Sequence, residues 1–236
     1  MKITVIHGSP RRGNTYLAAQ KFIEALGERG PVEASEFFLP KDLPAFCLGC
    51  CACILQDESA CPHARHTGPV LESMLAADAL LLTTPVYVMS ASGVMKNFLD
   101  HYPFLFINHR PRPEFFRKKA FVLSTAAGGG LRSAMKSVAV CLKFWGVNRI
   151  YRKGFPLYAL NWDEMPARRR QKYDRQIGRS AAKFRRAVEK GPGAPYLFTR
   201  FYFAVSRWMQ KRGMSVPADR QYWQAQGWLD GGSPFG

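Results

Sequence analysis

Apolar runs rich in β-branched and aromatic residues recur along the chain at residues 2–6, 32–38, 79–84, 120–124 and 147–158. The segments between them carry the 3.6-residue period of amphipathic helices, over 15–29, 70–76, 92–102, 131–145 and 163–189. Strands alternating with helices predict an α/β fold with a parallel sheet covered on both faces. The alternation is interrupted twice. The connection over 40–67 is too long for an ordinary loop, and Gly191-Pro192-Gly193 breaks the pattern before a further stretch. There, Phe198, Phe201, Tyr202, Val205 and Trp208 give a helix over 195–209 an apolar face, with Arg200, Arg207, Lys211 and Arg212 on the rest. The expected division is a domain over 1–190, with a cysteine-rich insertion at 40–67, and an aromatic, basic extension over 191–236. A helix of that kind can pack on the body, dimerise or lie on a membrane surface; packing is the expectation here.

Composition narrows the picture. A chain of 236 residues can bury a sizeable core. Its 34 Lys and Arg against 17 Asp and Glu give a formal charge of +17, with half of the basic residues beyond position 150. A surface of that sign attracts nucleic acid, anionic lipid or phosphorylated cofactors. Nucleic acid is not expected, because no helix-turn-helix, zinc-finger or RNP-like pattern is present. The longest apolar stretches carry Asp78 and Arg207, so no transmembrane segment is expected. No secretory signal pattern precedes the first strand, which predicts a cytoplasmic protein starting at Met1.

The chemistry begins at the first strand end. His7-Gly8-Ser9-Pro10-Arg11-Arg12-Gly13-Asn14-Thr15 leads straight into a helix. Hydroxyls, an amide, two guanidinium groups and the N–H groups of a helix N-terminus suit a bound phosphate. The loop lacks the Lys of a GxxxxGK[ST] motif and the three glycines of GxGxxG, which disfavours ATP and a Rossmann-bound dinucleotide. A plain βα turn capped by Asn14 or Thr15 would have no use for two adjacent arginines.

The third strand runs into TPVYVMSASGVMKNFLD at 84–100, and STAAGGG occupies 124–130. Loops at the carboxyl ends of parallel strands line the ligand crevice, which places both beside the phosphate loop. With GSPRRGNT at 8–15, these three segments resemble, over about residues 1–150, the flavodoxin-like NAD(P)H-dependent FMN reductase superfamily. The resemblance implies a three-layer αβα sandwich with a five-stranded parallel sheet in the order 2-1-3-4-5. It implies FMN as cofactor and NAD(P)H as co-substrate, with Ser9, Arg11, Asn14 and Thr15 on the phosphate. Pro85, Val86, Tyr87 and Val88 would hold the ring, and Thr125, Ala126 and Gly128 would approach its pyrimidine edge. Because the flavin performs the bond making, no catalytic acid, base or nucleophile is required. His7 reads as a strand-end residue, and His109-Arg110 as a solvated loop.

Five of the six cysteines fall within 47–61. Cys47, Cys50, Cys53 and Cys61 form CxxCxxCx7C, with Cys51 left over. Thiolates at that spacing can reach the corners of a [4Fe-4S] cluster. The residues also allow a thiol loop without metal, or, less readily, zinc held by four cysteines or by three with His63. The motif is similar to that of the iron-sulfur flavoprotein branch of the same superfamily. Cys141 lies on a helical face and reads as a core residue.

The implied activity is hydride transfer from NAD(P)H through FMN to a small acceptor: a quinone, a flavin, a nitro compound or a metal complex. The alternative is an iron-sulfur flavoprotein exchanging electrons with ferredoxin-like partners. The resemblance also implies a homodimer or higher homo-oligomer.

Overall fold

The computed structural model describes residues 1–235. In chain order its elements are β1 (Lys2–His7), α1 (Asn14–Gly27), β2 (Glu33–Phe38), α2 (Ala52–Leu55), α3 (Ala64–Ala76), β3 (Ala79–Tyr87), β4 (Ser90–Ala91) and α4 (Gly93–Asp100). They continue with β5 (Lys119–Ala126), α5 (Leu131–Phe144), β6 (Arg149–Pro156), α6 (Ala167–Glu189), α7 (Leu197–Lys211) and α8 (Pro217–Ala225).

The sheet runs β2-β1-β3-β5-β6, every pair parallel. This is the flavodoxin-like order 2-1-3-4-5. Central strands β1, β3 and β5 are buried almost throughout, as expected of strands covered on both faces, whereas edge strands β2 and β6 are only partly buried. One element was not legible: the two-residue β4 folds back antiparallel on the end of β3, pairing Val86 with Ala91 and Tyr87 with Ser90. It makes the sheet six-stranded.

The period-two alternation along the strands divides the core. Ile6, Leu80, Leu82 and Val122 face α3, α4 and α5 in one cluster. Ile3, Val5, Leu81, Phe121 and Leu123 face α1 and α6 in a second, where Phe22, Phe121 and Phe184 pack ring against ring. A third cluster gathers Phe203, Trp223, Trp228 and Leu229 of the C-terminal stretch around Ile107 and Phe116 of the body. Helix α3 begins at Ala64, before the expected residue 70. Gly68-Pro69 reads as a break, yet Thr67 and Val70 on either side of it are both buried, and Pro69 is held inside the helix.

Candidate cofactor site

At the carboxyl ends of β1 and β3, where the strand order reverses, the structure opens a crevice of about 200 Å³. Ser9, Arg11, Asn14 and Thr15 line it from the first loop, Pro85, Val86 and Tyr87 from the end of β3, and Thr125 and Ala126 from the end of β5. Two residues singled out in the sequence lie elsewhere. Val88 is 99% exposed, with a left-handed backbone of φ 45°, and Gly128 is outside the lining. The crevice also takes Leu157, Ala159 and Leu160 from the loop after β6. The strand pattern over 147–158 ran into that loop with no polar signal to mark it. Asn14 Nδ2 donates to Leu160 O at 2.7 Å, joining the two loops.

The first loop is built to leave donors free. Gly13 is the N-cap of α1, extended and with no side-chain cap, and the first turn holds no acidic residue. The opening N–H groups therefore have no acceptor within the helix, and with the helix dipole they favour an anion. Ser9 Oγ accepts from Arg11 N at 3.2 Å, and the Arg11 guanidinium reaches Tyr87 Oη at 3.5 Å across the crevice. Thr15 and Thr125 share a buried hydroxyl–hydroxyl bond of 2.6 Å. Gly8 N donates to Thr83 O at 2.7 Å, and a Cβ on Gly8 would stand 2.6 Å from that oxygen, so the close approach requires glycine. Arg12 corrects the reading of paired arginines: it lies over the rings of Tyr16 and Phe38, 5.5 and 5.1 Å from their centroids, and does not line the crevice. The donor set fits a phosphate ester.

His7 is buried behind this loop. Its Nε2 lies 2.6 Å from Glu36 Oε2, and its ring stacks on Phe38. Burial lowers its pKa below the usual histidine value, against the opposing pull of Glu36. On the ring side of the crevice, Val88 and Met89 turn the chain through the left-handed region at φ 45° and 61°. Gly130, at φ 84°, packs under this turn; a Cβ there would meet Val86 Cγ1 at 2.6 Å and Met89 Cα at 2.9 Å.

The cysteine segment folds into a pocket of about 140 Å³ bordered by all five of its cysteines, Cys47, Cys50, Cys51, Cys53 and Cys61, with His63 and His101 beside them. Cys53 is buried, and its thiol is pushed up to about 11 by burial first and then by Cys61, Cys47 and Cys50. Asn97 fixes the entry to the segment: its Oδ1 accepts from Cys47 N and its Nδ2 donates to Ala45 O, both at 2.9 Å. His101 Nδ1 donates to Asn97 O at 2.9 Å, which leaves His101 Nε2 to accept from His63 Nδ1 at 3.1 Å. Among the described residues, no three His, Cys, Asp or Glu side chains are grouped tightly enough to share one metal ion. A zinc site, with its bonds of about 2.3 Å to sulfur, is thus not preformed. Five thiols line the cavity, and a cluster is a body larger than one ion.

His109-Arg110 is not a solvated loop. Arg110 is 4% exposed and donates to the carbonyls of Cys53 and Ile54 and to the Asp219 carboxylate of α8. His109 Nδ1 lies 2.7 Å from the other Asp219 oxygen.

A model of the NADPH-dependent FMN reductase family matches residues 1–152. Among curated proteins, an iron-sulfur flavoprotein of Archaeoglobus fulgidus is 32% identical over 141 residues, 59% of this chain and 67% of the relative. An iron-sulfur flavoprotein of Methanocaldococcus jannaschii is 34% identical over 100 residues, 42% of this chain and 50% of the relative. The chain thus spans only half the length of the latter. Among solved structures, the NAD(P)H:quinone oxidoreductase of Methanothermobacter marburgensis superposes with a TM-score of 0.60 at 19% identity, over 77% of this chain and 95% of that one, a likeness of fold. No helix among the described residues is long and apolar enough to cross a membrane.

Proposed function

The chain belongs to the NADPH-dependent FMN reductase family, and from that membership we propose an FMN-dependent oxidoreductase that passes electrons from NADH or NADPH to a small acceptor. Quinones, flavins, nitro compounds and metal complexes are the acceptor classes. One observation carries the reading: the uncapped N-terminus of α1 opens into the same crevice as Pro85, Tyr87 and Thr125. FMN, when bound, supplies the hydride chemistry. The chain's own residues bind and orient. Ser9, Arg11 and the first-turn N–H groups of α1 would hold the phosphate, Pro85, Val86 and Tyr87 would offer a flat, largely apolar wall to the ring, and Thr125 would present a polar edge already tied to Thr15. An open crevice gives donor and acceptor the same approach, so ping-pong kinetics are expected.

The test is FMN affinity together with steady-state NAD(P)H oxidation against a quinone. A charge-assisted bond to phosphate is worth about 1.5–3 kcal/mol, so Arg11→Ala is expected to weaken FMN binding by about tenfold or more. Unchanged affinity in that variant would remove Arg11 from the phosphate site; wild-type protein that takes up no FMN would overturn the whole reading.

The homodimer belongs to this proposal. Val88 and Met89 lie exposed beside the crevice, at 99% and 64%, as an apolar turn that a second copy would cover. Light scattering on the FMN-loaded protein checks it, and a monomeric mass at micromolar concentration would rule it out.

A second reading is favoured by the thiol-lined pocket and by the curated relatives named iron-sulfur flavoproteins: an iron-sulfur flavoprotein that exchanges electrons with a ferredoxin-like partner. An acidic redox partner would suit the +17 charge.

A further inference from the structure

Helix α7 is amphipathic in the wrong sense for a helix that only covers a core. Its inward positions include Thr199, Ser206 and Gln210, each at most 2% exposed, alongside Phe203. Ser206 Oγ donates to Tyr202 O and Gln210 Nε2 to Asn108 O, while Thr199 Oγ1 has no partner among the described residues. Its outward positions include large apolar side chains. Leu197 is 83% exposed, Phe201 68% and Trp208 49%, and Met214 just beyond the helix is 57% exposed.

At 3.6 residues per turn, Leu197, Phe201, Ala204 and Trp208 fall within about 60° of arc, a single stripe along the helix. Arg200 and Lys211 border it on one side and Arg212 on the other, where the Arg212 guanidinium lies 4.7 Å from the centroid of the Trp208 ring. From Lys190 to Ala218 the sequence contains five Lys and Arg and no Asp or Glu. Exposed aromatic and aliphatic side chains flanked by cations, with no acid in the segment, match the interface of an anionic bilayer in both polarity and charge.

We propose that the outward face of α7 is a docking surface for an anionic lipid membrane, with the helix lying in the interfacial plane. Leu197, Phe201 and Trp208 enter the headgroup boundary, and Arg200, Lys211 and Arg212 pair with lipid phosphates. The geometry fixes an orientation. Tyr196, just before α7, accepts from Ile150 N at the start of β6, and Phe198 and Tyr202 pack on Phe144 at the end of α5. The helix therefore sits at the end of the sheet where the parallel strands begin, opposite the crevice at their carboxyl ends. A docked protein keeps the crevice open to water, whatever occupies it.

The structure supplies its own reporter. Of the five tryptophans, Trp145, Trp162, Trp223 and Trp228 are at most 4% exposed, so Trp208 is the one that can meet lipid. The experiment uses the full chain with phosphatidylcholine vesicles, with and without phosphatidylglycerol, some carrying brominated acyl chains. Flotation with the anionic vesicles alone, weakened by salt, and quenching of Trp208 by brominated lipid are expected. The double variant Leu197→Glu with Phe201→Glu, at exposed positions, is expected to partition at least about tenfold less while keeping the wild-type circular dichroism and melting temperature. Three results overturn the proposal: no flotation with anionic vesicles; equal flotation by the double variant, which would place binding elsewhere; or a Trp208 blue shift that follows protein concentration without lipid, which would make the face a contact between copies of this chain.

Discussion

Arg110→Ala is expected to lower the unfolding free energy by about 3–5 kcal/mol, the usual cost of removing one partner of a buried ion pair. For a chain of this size that corresponds to a fall of about 10 °C in melting temperature. The loss has two sources. The Asp219 carboxylate, 1% exposed, would keep only its contact with His109 and would lose the charge that compensates its desolvation. The carbonyls of Cys53 and Ile54 would lose the donor that holds the cysteine segment against the C-terminal helices. Because one guanidinium serves both, α8 and the segment over 52–55 are expected to become protease-sensitive together. Arg110→Lys should recover part of the stability, since an ammonium restores the charge and not the planar fork. Asp219→Asn combined with Arg110→Ala should cost less than the sum of the single changes. A melting temperature unchanged in Arg110→Ala would show that the pair contributes nothing to stability.

Arg110 also marks where sequence reading stops. Its partners lie 56 or more positions away, on the short helix α2 and on α8, and neither periodicity nor a motif connects them. What was legible was local. Each strand core declared itself by its apolar run, and each crevice loop by turn chemistry at the end of a strand. The order β2-β1-β3-β5-β6 was not read from periodicity; it came with the resemblance carried by three loops. Failures followed the same line. Arg12 is adjacent to Arg11 yet turns onto Tyr16 and Phe38, whose two aromatic faces are within reach of its guanidinium. Val88 leaves the crevice because the antiparallel return through β4 forces a left-handed turn at Val88 and Met89, and only the paired Gly130 beneath makes room for it. The polar inner face of α7 was invisible while its aromatic residues were counted as inward.

Anaerobic treatment with ferrous iron and sulfide is expected to give broad visible absorbance with about four irons and four acid-labile sulfides per chain. Cys53→Ala is expected to abolish it, and Cys51→Ala to leave it intact. Both cysteines line the pocket, and burial distinguishes them. Cys53 is the buried wall, and the charges of Cys61, Cys47 and Cys50 all reach it, whereas Cys51 turns at φ 58° with its Sγ directed at Gly49 O, 3.5 Å away. The raised Cys53 pKa of about 11 sets the pH behaviour of the metal-free protein. At neutral pH the thiol is protonated, so alkylation should reach the exposed Cys47, Cys50 and Cys51 before Cys53, whose rate should rise as pH approaches that value. Loading must then displace that proton, so binding should release protons and strengthen as pH rises above neutrality. Zinc bound in equal amount to protein, without colour, would replace the cluster by a mononuclear site that draws the thiols inward. No retained metal under either condition would leave Cys53 as a core thiol and would remove the electron-transfer reading.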